Sequence, residues 1–261
     1  MSVMTAGAAP AAAARGSALA RLTVTELRLF GRERLRLGFA LALPVVLLII
    51  LGSFGSLTKP DASFGGYSFL DIYLPTLITF TMALLSIATM PMVLACYREI
   101  GVLRRMETTP AGPVRVLAAQ LLANLAIAVT GMVLLLVVGR AGYHIAVPRQ
   151  FAGFVLAWLF AAAALLSVGL FIAALAPAAR TGQISGLLTF YPLMFFAGLW
   201  VPLKDLSPFW QHVSHATPGG AAVEALTRAA QGQWPTWLQL VTLAVYAVAF
   251  GSAAARLFRW E

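Results

Sequence analysis

The chain has 261 residues, of which 61% are hydrophobic and only 10% are charged. Soluble domains are about 45–50% apolar, and the mean hydropathy here is +0.88, so the composition excludes a soluble globular protein and indicates an integral membrane protein. The net charge of +9 suits contact with anionic lipid and cytoplasmic partners better than nucleic-acid binding.

The first 36 residues divide into two parts. Residues 1–16 are rich in alanine without an apolar period, which predicts a disordered tail. Residues 17–36 predict an amphipathic helix lying on the cytoplasmic membrane surface. Its apolar face holds Leu19, Leu22, Leu29 and Phe30, and its basic face holds Arg21, Arg28 and Arg32. Such a helix either anchors the topology or contacts a partner, and the sequence leaves both interpretations open.

The remaining residues, 37–261, predict an all-α transmembrane domain. A run of about 20 apolar residues crosses a bilayer as a helix, and continuous runs favour helices over the alternating strands of a barrel. Six runs qualify, at residues 37–57, 72–96, 117–139, 151–175, 184–202 and 236–255.

The basic residues predict the orientation of these six spans. With a cytoplasmic N-terminus, thirteen Lys and Arg residues fall on the cytoplasmic side and five on the outer side. The cytoplasmic side of multi-pass proteins carries the excess of positive charge. Both termini and the loop at residues 97–116 are therefore predicted to be cytoplasmic.

The segment at residues 203–235, on the predicted outer side, is long, semi-apolar and broken by proline and glycine. Pieces of it have helical propensity but are too short to span a bilayer. We expect short interfacial or re-entrant helices before the last span.

Several kinds of chemistry have no support in the sequence. The interiors of the six runs carry no ionisable side chain, which argues against a proton relay. There is no G-x-x-x-x-G-K-[ST] phosphate-binding loop, no Ser-centred hydrolase motif, and no thiolate cluster around the single cysteine, Cys96. His212 and His215 could share a helix face, but without a third ligand they predict no metal site. An intramembrane enzyme is therefore the weakest hypothesis.

The loop at residues 97–116, YREIGVLRRMETTPAGPVRV, concentrates charge in a chain that has little. Pro110 and Pro113 break the helix, so a short charged helix before them would project from the membrane. Ordinary flanking charge is one interpretation of this loop. Its residue order, together with the six runs and the outer segment, resembles the type-2 permeases of ATP-binding cassette exporters, which include the daunorubicin-resistance-type drug exporters.

This resemblance implies a permease subunit of the bacterial inner membrane that exports a hydrophobic or amphipathic substrate. ATP and Mg²⁺ would be bound by a separate ATPase subunit, with no cofactor on this chain, and a second permease copy would complete the path. The loop residues implied to couple to the ATPase are Arg98, Glu99, Gly101, Arg104, Arg105, Thr109 and Pro110. The aromatic residues of a possible substrate path are Phe190, Tyr191, Phe195 and Phe196. A membrane scaffold that only binds partners is the alternative.

Overall fold

Helices make up most of the chain that the computed structural model describes, namely residues 20–29, 31, 34–101, 113–203 and 206–257. In chain order they are α1 (residues 20–29), α2 (Arg34–Ser53), α3 (Phe69–Ala83), a π-helical segment (Leu84–Thr89), α4 (Met90–Glu99), α5 (Pro113–Tyr143), α6 (Phe151–Leu175), α7 (Ala179–Phe196), α8 (Pro208–Ala216), α9 (Pro218–Ala230) and α10 (Trp237–Leu257). The described strands are the two-residue strands β1 (Pro60–Asp61) and β2 (Tyr67–Ser68), which pair antiparallel.

The prediction of an all-α membrane protein is confirmed. Each of the six predicted apolar runs lies largely on a helix. Within the described residues, four helices are long and apolar enough to cross a membrane: Phe69–Glu99, Val114–Tyr143, Phe151–Leu175 and Trp237–Leu257. The apolar part of α2, Gly38–Ser53, is shorter, and α7 begins with a polar turn containing Arg180 and Gln183.

The fifth predicted run, residues 184–202, is placed too late in the chain. Helix α7 covers Ala179–Phe196, so the last six residues of that run lie beyond the helix. Gly198 adopts a left-handed conformation with φ of 78°, and its N–H donates to the carbonyl of Phe195 at 3.1 Å. A left-handed glycine is a common helix stop, and the sequence analysis overlooked it because the apolar run continues through it.

The continuous stretch from α3 through the π segment to α4 forms the centre of the helix bundle. Its start is fixed by a capping box, in which Ser68 and Asp71 each accept a hydrogen bond from the other's backbone N–H. Most of its residues from Leu74 to Ala95 are buried, and it contacts α2, α5, α6, α7 and α9. It therefore connects the two ends of the molecule through the core.

Glycines on two neighbouring helices allow close contact with this central stretch. A Cβ added to Gly169 of α6 would collide with the carbonyl oxygen of Ser86, and one added to Gly186 of α7 would collide with that of Ile87. Both carbonyls belong to the π segment. The helix backbones can approach this closely because small residues leave room for them.

The helices before the last span confirm the prediction of short helices in this segment. α8 has 9 residues and α9 has 13. The hydroxyl oxygen of Thr217 accepts a hydrogen bond from Gly220 N at 3.1 Å and so caps α9. Helix α9 is largely buried and packs against α3, α6 and α10, so it lies inside the bundle as a re-entrant helix does.

The ends of the helices gather into two faces. The predicted cytoplasmic face holds α1, the end of α4 and the connection between α6 and α7. The predicted outer face holds the β1–β2 hairpin, the start of α3, α8 and α9. Contacts within the outer face include hydrogen bonds from the Tyr67 hydroxyl to Gln231 O at 3.4 Å and from Ala146 N to Asp71 Oδ1 at 3.2 Å.

Candidate functional site: a helix junction and a cavity on opposite faces

The end of α4 contacts the connection between α6 and α7 through two neighbouring side chains. Arg98 Nη1 donates to the carbonyl of Ala176 at 2.8 Å. Glu99 Oε2 accepts a hydrogen bond from Ala179 N at 3.0 Å. Consecutive residues of opposite charge thus hold the two sides of one tight turn.

Helix electrostatics explain this arrangement. Ala176 is the C-cap of α6, and the last carbonyls of a helix lack partners within the helix and carry partial negative charge. Ala179 begins α7, where the free N–H groups carry partial positive charge. The Arg98 guanidinium beside the Ala176 carbonyl and the Glu99 carboxylate beside the Ala179 N–H therefore both stabilise the turn.

A third side chain at the end of α4 contacts α1. The Tyr97 hydroxyl lies 3.0 Å from Glu26 Oε2 and 3.3 Å from Oε1 and donates to this carboxylate. Glu26 is only 8% exposed. Burial raises the pKa of the Glu26 carboxyl, and the hydrogen bond from Tyr97 partly offsets that rise. Helix α1 is therefore attached to the bundle by a buried polar contact.

The described part of α1 differs from the predicted amphipathic pattern on its apolar side. Arg21 and Arg28 are exposed, as expected for a basic face. Leu29, assigned to the apolar face, is 42% exposed, whereas Leu27 packs against the core next to Glu26. The face that contacts the protein therefore lies around Glu26, and Leu29 is left outside the protein interior. Arg32, Leu19 and Phe30 lie outside the described residues.

Helix α4 ends at a left-handed glycine. Gly101 has φ of 72°, and its N–H donates to Arg98 O at 3.0 Å. A non-glycine residue adopts this conformation at a cost. The next described residue is Pro113, at the start of α5. The remaining predicted coupling residues, Arg104, Arg105, Thr109 and Pro110, lie outside the described residues.

The four aromatic residues predicted for a substrate path do not meet in one cavity. Phe190 is buried with its ring centroid 5.8 Å from that of Phe80, while Tyr191 is 57% exposed. The rings of Phe195 and Phe196 lie 5.4 Å apart, and Phe196 lies 5.8 Å from Trp210. They extend along α7 instead of lining a shared space.

The predicted outer face holds a partly open cavity of about 380 Å³ that the sequence analysis missed. Its walls come from the β1–β2 hairpin, from α3, from the turn after α7, and from α8 and α9. They consist of Phe64, Phe69, Ile72, Tyr73, Thr76, Ala197, Gly198, Pro202, Leu203, Gln211, His215, Val223, Glu224 and Thr227. A sequence signal existed: these residues recur at three- and four-residue spacing in α3, α8 and α9, which places them on one face of each helix.

The polar groups of this cavity are few. Tyr73 donates its hydroxyl to the carbonyl of Leu199 at 2.5 Å, and Thr227 donates to Val223 O at 2.7 Å. His215 Nδ1 lies 2.5 Å from Glu224 Oε2. The described residues contain no group of three or more His, Cys, Asp or Glu side chains that could hold a metal ion.

The described helices form a membrane protein domain with a helix junction on its predicted cytoplasmic face and a cavity on its predicted outer face. The chain belongs to the ABC-2 type transporter family, whose model matches residues 18–231. That range includes α1, the contact at the end of α4, and the outer cavity. As a membrane domain of this family, the chain is a transport component and is not itself the ATPase. A search of curated proteins gave no significant match.

Proposed function

We propose that the chain is the permease subunit of an ABC exporter that moves a hydrophobic or amphipathic substrate out of the cytoplasm or inner leaflet, as daunorubicin-resistance-type exporters do. A separate ATPase subunit would bind ATP and Mg²⁺ and drive transport. Membership of the ABC-2 family supports a permease in general. The observation that carries the mechanism is the joining of three elements at the end of α4.

In the proposed mechanism the ATPase would act on this junction. Tyr97 connects α4 to α1, and Arg98 and Glu99 connect α4 to the α6–α7 turn. The loop that follows Gly101 contains Arg104 and Arg105. In the proposed mechanism these two arginines bind a carboxylate-lined groove on the ATPase through charge-assisted contacts. Movement of the loop then shifts α1, α4 and the α6–α7 turn together.

The assembly we propose contains two permease copies in the bacterial inner membrane, with both termini and the loop at residues 97–116 in the cytoplasm. The basic-residue count supports this orientation. Exposed apolar side chains on α5 and α10, such as Val137, Val245 and Val248, leave surface for lipid or for the second copy. Thr109 and Pro110 would shape the end of the coupling loop, and Arg21, Arg28 and Arg32 would bind anionic lipid or the ATPase.

A charge reversal tests the coupling contact. The double variant R104E/R105E should insert normally, because ample basic charge remains on the cytoplasmic side. Its association with the ATPase should weaken, because attraction becomes repulsion. The measurement is co-purification of the ATPase and ATP-dependent export at equal membrane abundance of the permease.

The matched control is K59E/R140E, which makes the same change in net charge with two exposed residues of the predicted outer face. It should keep the ATPase bound and export intact. If R104E/R105E also keeps both, the coupling contact is misplaced. If no ATPase co-purifies with the wild-type chain under conditions that preserve such complexes, the scaffold hypothesis is favoured instead.

A further inference from the structure

The core of the helix bundle contains a polar acceptor that has no partner among the described residues. Asn124 of α5 is only 1% exposed, and its Nδ2 donates to the backbone carbonyl of Gln120 at 2.9 Å. The reversed amide would set Oδ1 against that carbonyl, and two acceptors repel. The unpaired atom is therefore Oδ1, which is left on the side of the amide away from the Gln120 carbonyl.

Asn124 lines a small cavity between three helices. The cavity measures about 10 Å³, which is about the space that one water molecule needs. The three helices, namely the central stretch, α5 and α6, are each long and apolar enough to cross a membrane. Lipid offers a polar group no hydrogen bond, so a polar group at this depth has to be satisfied inside the protein. The other lining residues are Met82, Leu85, Ser86, Leu125, Ala128, Ala162, Leu165 and Leu166.

Ser86, in the π segment, supplies a second acceptor to the same cavity. Its side chain is buried, and its hydroxyl donates to the carbonyl of Met82 at 2.7 Å. Because its one hydrogen is used in this bond, the Ser86 oxygen can only accept further hydrogen bonds. The cavity therefore has one acceptor oxygen from α5, Asn124 Oδ1, and one from the π segment, Ser86 Oγ.

From this arrangement we infer that the cavity binds a single water molecule, which donates one hydrogen to Asn124 Oδ1 and the other to Ser86 Oγ. Water has the right size and the two donors that the two acceptors require. An apolar ligand would leave Oδ1 unpaired, and an anion would be repelled by two acceptors. A Mg²⁺ or Ca²⁺ ion takes about six or more oxygen ligands, more than this cavity offers.

The side chain of Gln120 is the competing partner for Asn124. It lies one helical turn earlier on α5, is fully buried, and has no described partner for either amide atom. Amide side chains at this spacing can form a direct hydrogen bond. In the structure, however, Gln120 does not line the cavity, and no hydrogen bond joins it to Asn124 Oδ1 in the described part of the chain.

The proposed water would connect α5 to the central stretch where the helix has lost a backbone hydrogen bond. In an α-helix the carbonyl of Ser86 would accept from the N–H of Met90, but Met90 donates to the carbonyl of Leu85 instead. The next residue, Pro91, has no N–H to donate. Two hydrogen bonds through the water would therefore support the π segment from outside its own helix. This role does not depend on the proposed function.

The test is radiolytic labelling of the full chain in phosphatidylcholine nanodiscs. Millisecond X-ray exposure converts water, including water bound inside a protein, into hydroxyl radicals, and mass spectrometry then locates the oxidised side chains. Met82 lines the cavity, whereas Met90 is similarly buried in the same helical stretch and does not line it. Met82 should therefore be oxidised several-fold faster than Met90. Equal rates would overturn the inference.

An accessibility control separates a bound water from opening of the bundle. Hydrogen peroxide added to the nanodiscs oxidises a methionine only when the reagent can reach its sulfur atom. It should oxidise Met82 and Met90 at similarly slow rates. Faster oxidation of Met82 by peroxide would attribute its reactivity to opening of the bundle and would count against the water.

Two variants remove the acceptors one at a time. N124L replaces the amide with a larger apolar side chain that fills the cavity, and S86A removes the hydroxyl. One remaining acceptor is too few to hold a buried water, so radiolytic oxidation of Met82 should fall to the rate of Met90 in both variants. Undiminished oxidation of Met82 in N124L would contradict the proposed site.

Two matched controls keep both acceptors. T79V removes a buried hydroxyl that donates to the carbonyl of Pro75 at 2.9 Å and does not line this cavity. Q120L removes the competing amide. Both should be labelled at Met82 as the wild type is. Loss of Met82 labelling in Q120L with full labelling in S86A would identify Gln120 as the partner and refute the bridge to Ser86.

Each variant should elute as a single species and unfold at a temperature near that of the wild type. If N124L and S86A fail to fold, the comparison of Met82 with Met90 in the wild-type chain decides the question. The result is separate from the ATPase experiment, because either outcome of the labelling leaves the permease proposal standing.

Discussion

The Tyr97 hydroxyl donates to the buried carboxylate of Glu26, a residue 71 positions earlier in the chain. This contact joins the N-terminal helix to the last turn of the central stretch. Because Arg98 and Glu99 follow Tyr97 directly and contact the α6–α7 turn, three consecutive side chains join three elements of one face.

Removal of the Tyr97 hydroxyl should loosen α1. In Y97F the buried Glu26 carboxylate loses its donor, and a hydrogen bond to a charged group contributes about 1.5–3 kcal/mol. Hydrogen exchange of the backbone amides at residues 20–29 should therefore become faster. Y246F is the control, because the Tyr246 hydroxyl has no described hydrogen bond and its ring stacks on Phe250. Equal exchange in Y97F and the wild type would show that the Tyr97–Glu26 hydrogen bond does not hold α1.

The attachment of α1 should depend on pH. Burial raises the pKa of Glu26 from its ordinary value of 4.5. A carboxyl whose pKa is raised in the docked state stabilises that state fully below pH 4.5, and this stabilisation is lost as the pH rises through the raised value. Amide exchange at residues 20–29 should therefore be slower at mildly acidic pH, after correction for the intrinsic effect of pH on exchange.

The variant E26Q tests the origin of this dependence. Glutamine has nearly the shape of the protonated carboxyl but does not titrate, so the corrected exchange at residues 20–29 should become nearly independent of pH. A pH dependence that persists in E26Q would assign the effect to another group.

Removal of Arg98 or of the Glu99 charge should weaken the α6–α7 turn. R98A deletes the donor to Ala176 O, and hydrogen bonds from charged groups contribute about 1.5–3 kcal/mol. E99Q keeps a hydrogen-bond acceptor but loses the charge at the start of α7, an interaction of about 0.3–1 kcal/mol. Thermal unfolding in detergent should rank the wild type first, E99Q second and R98A third. K59A, which removes an exposed positive charge outside the described helices, should match the wild type.

Alanine at Gly169 should destabilise the bundle, because the added methyl group collides with the carbonyl of Ser86. Overpacking of this kind costs about 1–3 kcal/mol. Gly38 is the matched control: it also lies in a helix, but an added Cβ would meet nothing within 4 Å. G38A should be neutral or stabilising by about 0.5–1 kcal/mol, since alanine favours helix more than glycine does. Equal unfolding temperatures for G169A and G38A would contradict the described contact.

Hydropathy was sufficient to predict the helices that form the bundle, because a backbone in lipid must satisfy its own hydrogen bonds. It did not place the end of α7, since Gly198 stops the helix within an apolar run. Glu26 was also missed. A glutamate in an amphipathic helix is normally a solvent-facing residue, and only the tertiary position of Tyr97 makes it a buried acceptor. Helical spacing marks one face of α3, α8 and α9 separately, but only the packing of these helices brings Glu224 into one cavity with Phe69 and Tyr73.

The π segment determines how the two ends of the central stretch are oriented around its axis. Met90 N donates to the carbonyl of Leu85, five residues back, and the Thr89 hydroxyl donates to Leu84 O. A π-bulge is equivalent to one residue inserted into an α-helix, and one residue corresponds to about 100° of rotation and about 1.5 Å of rise. The rotation about the helix axis that separates Tyr73 in the outer cavity from Tyr97 on the predicted cytoplasmic face therefore depends on this one extra residue. Deleting a residue from the segment would turn Tyr97, Arg98 and Glu99 away from Glu26 and the α6–α7 turn while the capping box at Ser68 stayed in place.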